Sequence, residues 1–278
     1  MRPCFDQLGC DLKMMNKKEM LRNAGDPKYI SGIYNYCDRW CEHCRFTSKC
    51  LNHSIVEEEF GDLEKSDEMN EAFWRRFSEM LQNTLALIND LAREHGIDID
   101  STDLKDIEKN ESNRGENAPA HLFFHLAKSY EKSVDRWFAE NTNLFDEYEH
   151  ELNRLRLISA DGEQEKDVIH IRDALEVIRW YQYQINIKLK RAVQGTSEAV
   201  ISDSNDLPKD SDGSAKVALI GIDRSLSAWG VLLNRFAKDQ HQIHRLMKML
   251  ENIRKRIEAH FPRARDFVRP GFDTESVT

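Results

Sequence analysis

The sequence predicts an all-α protein, a bundle of four long helices preceded by a small cysteine-rich, metal-binding module. Three observations carry this expectation. Gly and Pro are sparse, at 12 and 6 of 278 residues, while 32% of the chain is charged; low Gly and Pro with abundant Glu, Lys, Leu and Arg favour long helices over sheets. Apolar residues recur at steps of three and four, and no strand-like alternation occurs. Four of the 6 cysteines fall within the 14 residues from Cys37 to Cys50.

Composition narrows the function classes. A mean hydropathy of -0.67 and the lack of an apolar run of about 18 residues argue against a membrane span. Asp6, Asp11 and Lys13 sit where a secretory signal needs its apolar core, so a cytoplasmic protein is expected. The net charge is -9, with acidic residues outnumbering basic ones more than twofold between Glu57 and Ala120 and a basic stretch from Arg245 to Pro270. The basic stretch reads as a solvated helix face, and the acidic bulk repels phosphate backbones, so a nucleic-acid partner is not expected. No Gly-rich phosphate loop occurs, which argues against a nucleotide-dependent α/β enzyme.

In chain order, residues 1–27 are a weakly patterned leader ending at Asp26-Pro27, with Cys4 and Cys10 as free thiols. Residues 28–60 hold the four-cysteine module. Ser66-Asp67 opens the first long helix, whose stripe is Met69, Phe73, Phe77, Met80, Leu81, Thr84, Ile88 and Leu91, closed by His95-Gly96. Residues 97–118 are polar and read as a loop. Pro119 suits a helical first turn. From there Leu122, Leu126, Tyr130, Val134, Trp137, Phe138, Phe145, Tyr148, Leu152 and Leu155 predict one helix to about Leu157. The third helix, Gln164 to Val193, carries Val168, Ile171, Leu175, Ile178, Tyr181, Ile185, Leu189 and Ala192. Residues 194–213 have the composition of a mobile linker.

The last helix runs from Ser214 to His260, where Phe261-Pro262 stops it. Ile222, Leu226, Trp229, Leu233, Phe236, Gln240, Ile243, Met247 and Leu250 step 4,3,4,3, the 3.5-residue seam of coiled-coil-like packing. Gly221, Ser225 and Ala228 form a narrow edge where a neighbouring backbone can come close. The bundle therefore spans 66–265, with loops at 97–118 and 194–213.

The module reads Tyr34-Asn35-Tyr36-Cys37-Asp38-Arg39-Trp40-Cys41-Glu42-His43-Cys44-Arg45-Phe46-Thr47-Ser48-Lys49-Cys50. Its spacing is C-x3-C-x2-C-x5-C. Thiolates are soft donors, and four of them select zinc or an iron–sulfur cluster. Zinc knuckles usually come as two pairs a dozen or more residues apart, whereas compact runs suit clusters, so iron–sulfur is preferred over zinc. On a regular helix Cys37 and Cys44 would stand about 10.5 Å apart, too far for one small centre. The backbone is therefore expected to leave the helix within 37–44. Arg39, Arg45 and Lys49 would offset the negative charge of a four-thiolate site, and Tyr36, Trp40 and Phe46 would shield it from water.

Cys41-x2-Cys44-x5-Cys50 resembles the C-terminal cysteine trio of RecB-like nucleases, in which a 4Fe–4S cluster staples the fold and a distant fourth cysteine completes the site. Here the fourth, Cys37, is local, and no acid–acid–Lys nuclease constellation accompanies it. Cys37-x3-Cys41-x2-Cys44 matches the radical-SAM spacing over eight residues, with nothing after it resembling a β/α barrel. The string Tyr-Asn-Tyr-Cys-Asp-Arg-Trp-Cys-x-x-Cys is also similar to uncharacterised bacterial helical proteins, a resemblance that implies no function.

Other candidates read differently. His121 and His125 have a metal-ligand spacing but point away from the apolar stripe, as surface histidines do. Glu147-x-x-His150 is half of a di-iron motif without its second half. On the third helix a second stripe, Ile169, Asp173, Glu176, Trp180, Tyr183 and Ile187, suggests a central helix or a surface for a protein partner or a second copy. Asp173 and Glu176, with Asp223 of the last helix, are then candidate buried carboxylates, either ion-paired with Arg172 or Arg179 or functional. Three functions follow: a metal protein with a structural, sensing or electron-transfer role; a helical-bundle enzyme using those carboxylates; or an interaction scaffold.

Overall fold

A long amphipathic helix is stable mainly through what covers its apolar face, so the stripes of this chain must find partners. The computed structural model describes residues 26–60, isolated positions between 78 and 94, residues 118–143, several positions between 147 and 154, and residues 162–199 and 210–273. Among the described residues every regular element is helical and none is a strand, so the protein is all-α. The α-helices are α1 (Leu51–Phe60), α2 (Ala118–Glu140), α3 (Gly162–Ala199), α4 (Asp210–Arg235) and α5 (Gln240–His260). None of the helices described is long and apolar enough to cross a membrane. Two compact units form, residues 1–34 with 41–113 and residues 35–40 with 114–278. This division differs from the one read in the sequence, because six residues of the cysteine module belong with the later helices.

In the first unit, short 3-10 turns at Cys41–His43 and Thr47–Lys49 lead into α1. The Ile30 N–H donates to the Lys49 carbonyl at 3.0 Å and the Tyr29 hydroxyl donates to Ser54 at 3.0 Å, tying the start of the module to its end. Among its described residues, Ile33 and Phe46 are buried hydrophobics. Within the helix expected at 66–95, Ser78, Gln82, Leu85, Ala86, Asn89, Asp90, Arg93 and Glu94 are helical and exposed. Their spacing traces the face opposite the expected apolar stripe, which itself lies outside the described residues, as do the leader with Cys4 and Cys10 and most of the 97–118 loop.

In the second unit α2 packs on α3, α3 on α4, α4 on α5, and α5 back on α2. Each pair is antiparallel by its register. Glu131 and Asp135 of α2 meet Asn186 and Gln182 of α3. Arg191 and Tyr181 of α3 meet Asp210 and Arg224 of α4, and Asp223 of α4 faces Arg254 of α5. Glu140 and Phe123 of α2 meet Gln242 and His260 of α5. The expected α3 stripe from Val168 to Ala192 is buried at every position. At the centre Trp137 meets Trp229 edge-on at 5.0 Å, and the Trp229 indole N–H donates to the buried Tyr130 hydroxyl at 3.0 Å.

Several sequence expectations are corrected. The helix expected to run to Leu157 stops at Glu140: the Asn141 side chain donates back to the Trp137 carbonyl and the chain turns over Asn141-Thr142-Asn143 before helix resumes. Asn side chains compete with the backbone ladder in this way. Its buried face is carried by Phe123 rather than Leu122, which is exposed. The last helix is not continuous. Phe236 leaves the helical region at φ -101, ψ 73, a 3-10 turn covers Ala237–Asp239, and α5 folds back on α4. A single helix over 214–260 would extend about 70 Å and leave half its seam uncovered; the hairpin buries Trp229 and Leu232 with Ile243 and Leu250 in one core. The linker is shorter than 194–213, because α3 reaches Ala199 and α4 begins at Asp210, where Asp210 and Asp212 favour the helix N-terminus.

Two glycines of α4 give opposite expectations. A Cβ at Gly213 would lie 2.4 Å from the Tyr36 ring and 2.7 Å from that of Phe267, whereas one at Gly230 meets nothing within 4 Å. In urea unfolding followed by circular dichroism, Gly213→Ala is expected to lose about 1–3 kcal/mol through overpacking. Gly230→Ala should gain about 0.5–1 kcal/mol from helix propensity.

Candidate functional site

Residues 35–40 have no regular secondary structure beyond the end of a 3-10 turn, so their backbone polar groups need partners from elsewhere. Helices α3 and α4 supply them. The Asn35 carbonyl accepts from Arg191 at 3.2 Å and from Lys188 Nζ at 3.5 Å. The Tyr36 hydroxyl donates to Asp210 at 2.9 Å, Arg191 grips the same carboxylate with two N–H donors at 2.8 and 3.2 Å, and the Tyr36 ring lies 4.7 Å from Phe267. The Asp38 carbonyl accepts the Trp180 indole N–H at 3.0 Å. The Asp38 carboxylate accepts from the Tyr181 hydroxyl, from Arg224 at 2.9 Å and from the Trp40 N–H at 3.3 Å. Trp40 stacks on Trp180 with ring centroids 5.3 Å apart. Between these two anchors Arg39 adopts φ 61, the left-handed region that L residues avoid. The segment is a strap laid along α3 and α4, and Cys37 sits at its middle.

The electrostatics around the strap follow from burial. Burial first, and then the Asp210 carboxylate, push the Tyr36 phenol up to about 12. Burial and then Asp38 raise Tyr181 well above the ordinary tyrosine value, and burial raises Tyr130 likewise. Lys188, only 5% exposed, is lowered by burial while the Cys37 sulfur pulls it the other way.

The other three cysteines sit on the turns of the first unit. Cys41 opens its 3-10 turn and its carbonyl accepts the Cys44 N–H at 3.1 Å. The Phe46 N–H donates to Cys44 Sγ at 3.4 Å. Cys50 closes the next turn through its N–H to the Thr47 carbonyl at 3.2 Å, and its own carbonyl accepts from Ser54 as α1 begins. All four cysteines are half-buried thiols. The backbone does leave the helix over 37–44, as four-thiolate ligation requires. The donor chemistry suits a thiolate-bound metal: an N–H is aimed at one sulfur, and the Lys188 ammonium interacts with another. Among the described residues, however, no group of three or more Cys, His, Asp or Glu side chains is gathered as a ligand set.

The candidate buried carboxylates are corrected. Asp173 is exposed and pairs with Arg172 at 3.3 Å, and Glu176 is 3.7 Å from the same guanidinium with its side chain 37% exposed. Asp223 is held by Arg265 at 2.6 Å and Arg254 at 3.4 Å. They lie in two separate surface ion-pair groups. The second α3 stripe faces outward in part, with Tyr183 and Ile187 exposed, while Trp180 is covered by Trp40. His125, Glu147 and His150 are exposed, as a surface reading requires.

Sequence reasoning missed Asp38, Tyr181, Lys188, Arg191 and Arg224 as a group. One signal was available: Lys188 falls beside Leu189 and one turn after Ile185, on the buried side of α3, where a lysine needs a reason. No family model matches the chain, and neither a curated protein nor a solved structure shows detectable similarity to it.

Two expectations test this site. Tyr36, Tyr130 and Tyr181 all have folded-state values above the ordinary 10.0. Below about pH 10 both folded and unfolded chains keep these protons, so the stabilisation is complete; above it the unfolded chain ionises first and stability falls. Urea midpoints should therefore drop as pH rises beyond about 10, and Tyr36→Phe should make the drop shallower. At Arg39, glycine removes a left-handed strain of about 1 kcal/mol: Arg39→Gly should raise the urea midpoint slightly, and Arg39→Val should lower it.

Proposed function

We propose that the chain is a metal-binding helical-bundle protein in which Cys37, Cys41, Cys44 and Cys50 hold an iron–sulfur cluster, or failing that zinc. The helices α2 to α5 act as a four-helix bundle, and the role is structural, sensing or electron transfer. The observation that carries this reading is the chain path: four thiols within 14 residues lie on a succession of bends and 3-10 turns instead of on one helix. Supporting it are the N–H aimed at Cys44 Sγ, the half-burial of all four cysteines and the Lys188 ammonium that interacts with Cys37. When bound, such a centre supplies either a rigid cross-link or a one-electron couple. The residues of the chain position it, with Asp38 and Asn35 fixing the backbone on both sides of Cys37.

The enzyme reading loses its footing because the three carboxylates it needs are ion-paired at the surface. The scaffold reading keeps one observation, the exposure of Tyr183 and Ile187 at 45% and 57%. If that face joins two copies, Ile187→Glu should convert a dimer to a monomer in sedimentation equilibrium.

Anaerobically purified protein is expected to carry about one cluster or one zinc ion per chain, with broad absorption near about 400 nm for a cluster and none for zinc. Cys41→Ser combined with Cys44→Ser should abolish metal content and order within 41–56 while leaving the helical circular-dichroism signal largely intact. Metal-free wild-type protein with unaltered folding would rule the reading out. Loss of the whole helical signal in the double variant would instead make the centre a staple of the entire fold.

A further inference from the structure

We infer that residues 261–273 form a latch that closes over the 35–40 strap, so that release of this C-terminal segment frees the Tyr36 end of the strap. Strap, segment and the helices α3 and α4 belong to one compact unit. The segment leaves α5 at Phe261 and continues in local turns, in which the Asp266 N–H donates to the Arg263 carbonyl and the Phe267 N–H to that of Ala264. Phe261 and Ala264 join the bundle core, whereas the buried Phe267 lies against the strap, its ring 4.7 Å from that of Tyr36. Both rings fill the space left by Gly213 of α4, where a Cβ would lie 2.4 Å from Tyr36 and 2.7 Å from Phe267. Tyr36 therefore has one wall from α4 and another from the C-terminal segment.

Lys216 of α4 is the fastening. Its ammonium donates to the Phe267 carbonyl and pairs with the Asp273 carboxylate at 2.9 Å. Arg269 grips the same carboxylate with its guanidinium at 2.9 Å and with its backbone N–H at 3.0 Å. Gly271, at φ 76, takes the left-handed conformation that turns Asp273 back onto Arg269. The Lys216, Asp273 and Arg269 side chains are 17%, 23% and 16% exposed, so these bonds are screened less than an open surface pair. One lysine thus holds the segment on both sides of the Arg269 turn and keeps Phe267 against Tyr36.

The far end of the strap is fastened by other groups, Asp38 to Tyr181 and Arg224, and Trp40 stacked on Trp180. Opening the latch uncovers the Tyr36 ring and leaves those contacts in place, so the strap opens from its Tyr36 end. Segments closed by a few contacts open locally at less cost than the whole fold. Cys37 follows Tyr36 directly in the chain. The latch therefore governs how firmly the backbone at Cys37 is held, and it stands apart from the metal-binding reading.

The test is amide hydrogen exchange, read by mass spectrometry on the full chain, with urea midpoints measured alongside. The chains compared are wild type, Lys216→Met and Phe267→Ala, with Ile243→Val as a control for general loosening of the core. Lys216→Met and Phe267→Ala are expected to speed exchange over the strap at least about tenfold, the size of effect that loss of a charge-assisted hydrogen bond has on an opening equilibrium. Exchange at the centre of α3, around Leu175, should stay as in wild type. Strap exchange equal to wild type in both latch variants would overturn the inference. Faster exchange confined to residues 261–273 would overturn it too, since the segment would then open without the strap. A joint rise over strap and α3 with a lower urea midpoint, as in Ile243→Val, would also overturn it, as the mark of a merely structural contact.

Discussion

Everything in the second unit depends on how closely α3 and α4 approach, and Gly221 sets that approach. A Cβ there would lie 2.8 Å from the Tyr181 ring. With Gly221, Ser225 and Ala228 on the buried edge of α4, the aromatic and aliphatic stripe of α3 settles directly on the facing backbone. Tyr181 then lies with its ring covered and its hydroxyl at the edge of the pair, where it meets Asp38 and Arg224. Two turns earlier on α4, Gly213 clears room for the Tyr36 ring. The two glycines thus create the seats for both ends of the 35–40 strap. A larger residue at either one would shift helix packing and strap position together.

The ion pairs that decorate this arrangement contribute direction more than stability. Arg224 with Asp38, Arg191 with Asp210, and Arg265 with Asp223 all retain substantial exposure. Exposed pairs of this kind are worth about 0–1 kcal/mol each. Burial of the Trp137, Trp229 and Tyr130 cluster is worth far more, since each large apolar side chain fully removed from water gains roughly 1.5–3 kcal/mol. The charged groups fix register instead: a bidentate Arg191–Asp210 contact and an Asp38 with three donors admit only one way for the strap to lie. That is the accuracy a cysteine at its centre needs if it is to serve as a ligand.

What the sequence could show follows from which interactions are local. The α3 stripe was legible because each residue from Val168 to Ala192 is covered by neighbours on a single side of one helix, and helical periodicity encodes that directly. The Gly221, Ser225 and Ala228 edge was legible for the same reason. The break at Phe236–Asp239 was not, because the 3.5-residue seam continues through it in register; what turns the chain there is burial of the seam against itself, a tertiary effect. The break at Asn141–Asn143 did leave a trace in its two asparagines, outweighed by an apolar stripe that runs on to Leu155. The second α3 stripe misled in an instructive way. Trp180 is covered because Trp40 stacks on it from 140 residues away in sequence, whereas Tyr183 and Ile187 on the same stripe stay exposed. Periodicity marks a face but not its occupant, and the strap that occupies this one carries the candidate site.

The same distinction explains where a metal would act. Cys37 lies on backbone already fixed by Asn35 and Asp38 through side chains of α3 and α4, so holding it in place draws on the energy of the helices. Cys41, Cys44 and Cys50 lie on short turns closed by backbone bonds of 3.0 to 3.2 Å, with the Phe46 side chain buried among them. Fixing the roughly ten residues of those turns costs on the order of 10–20 kcal/mol in backbone entropy. The buried Phe46 side chain offsets about 3 kcal/mol of that. A thiolate site contributes about 10–16 kcal/mol when zinc is bound, which is the right size for the difference. On the proposed reading, a bound metal would add to the order that the turns bearing Cys41, Cys44 and Cys50 draw from their backbone bonds and from Phe46.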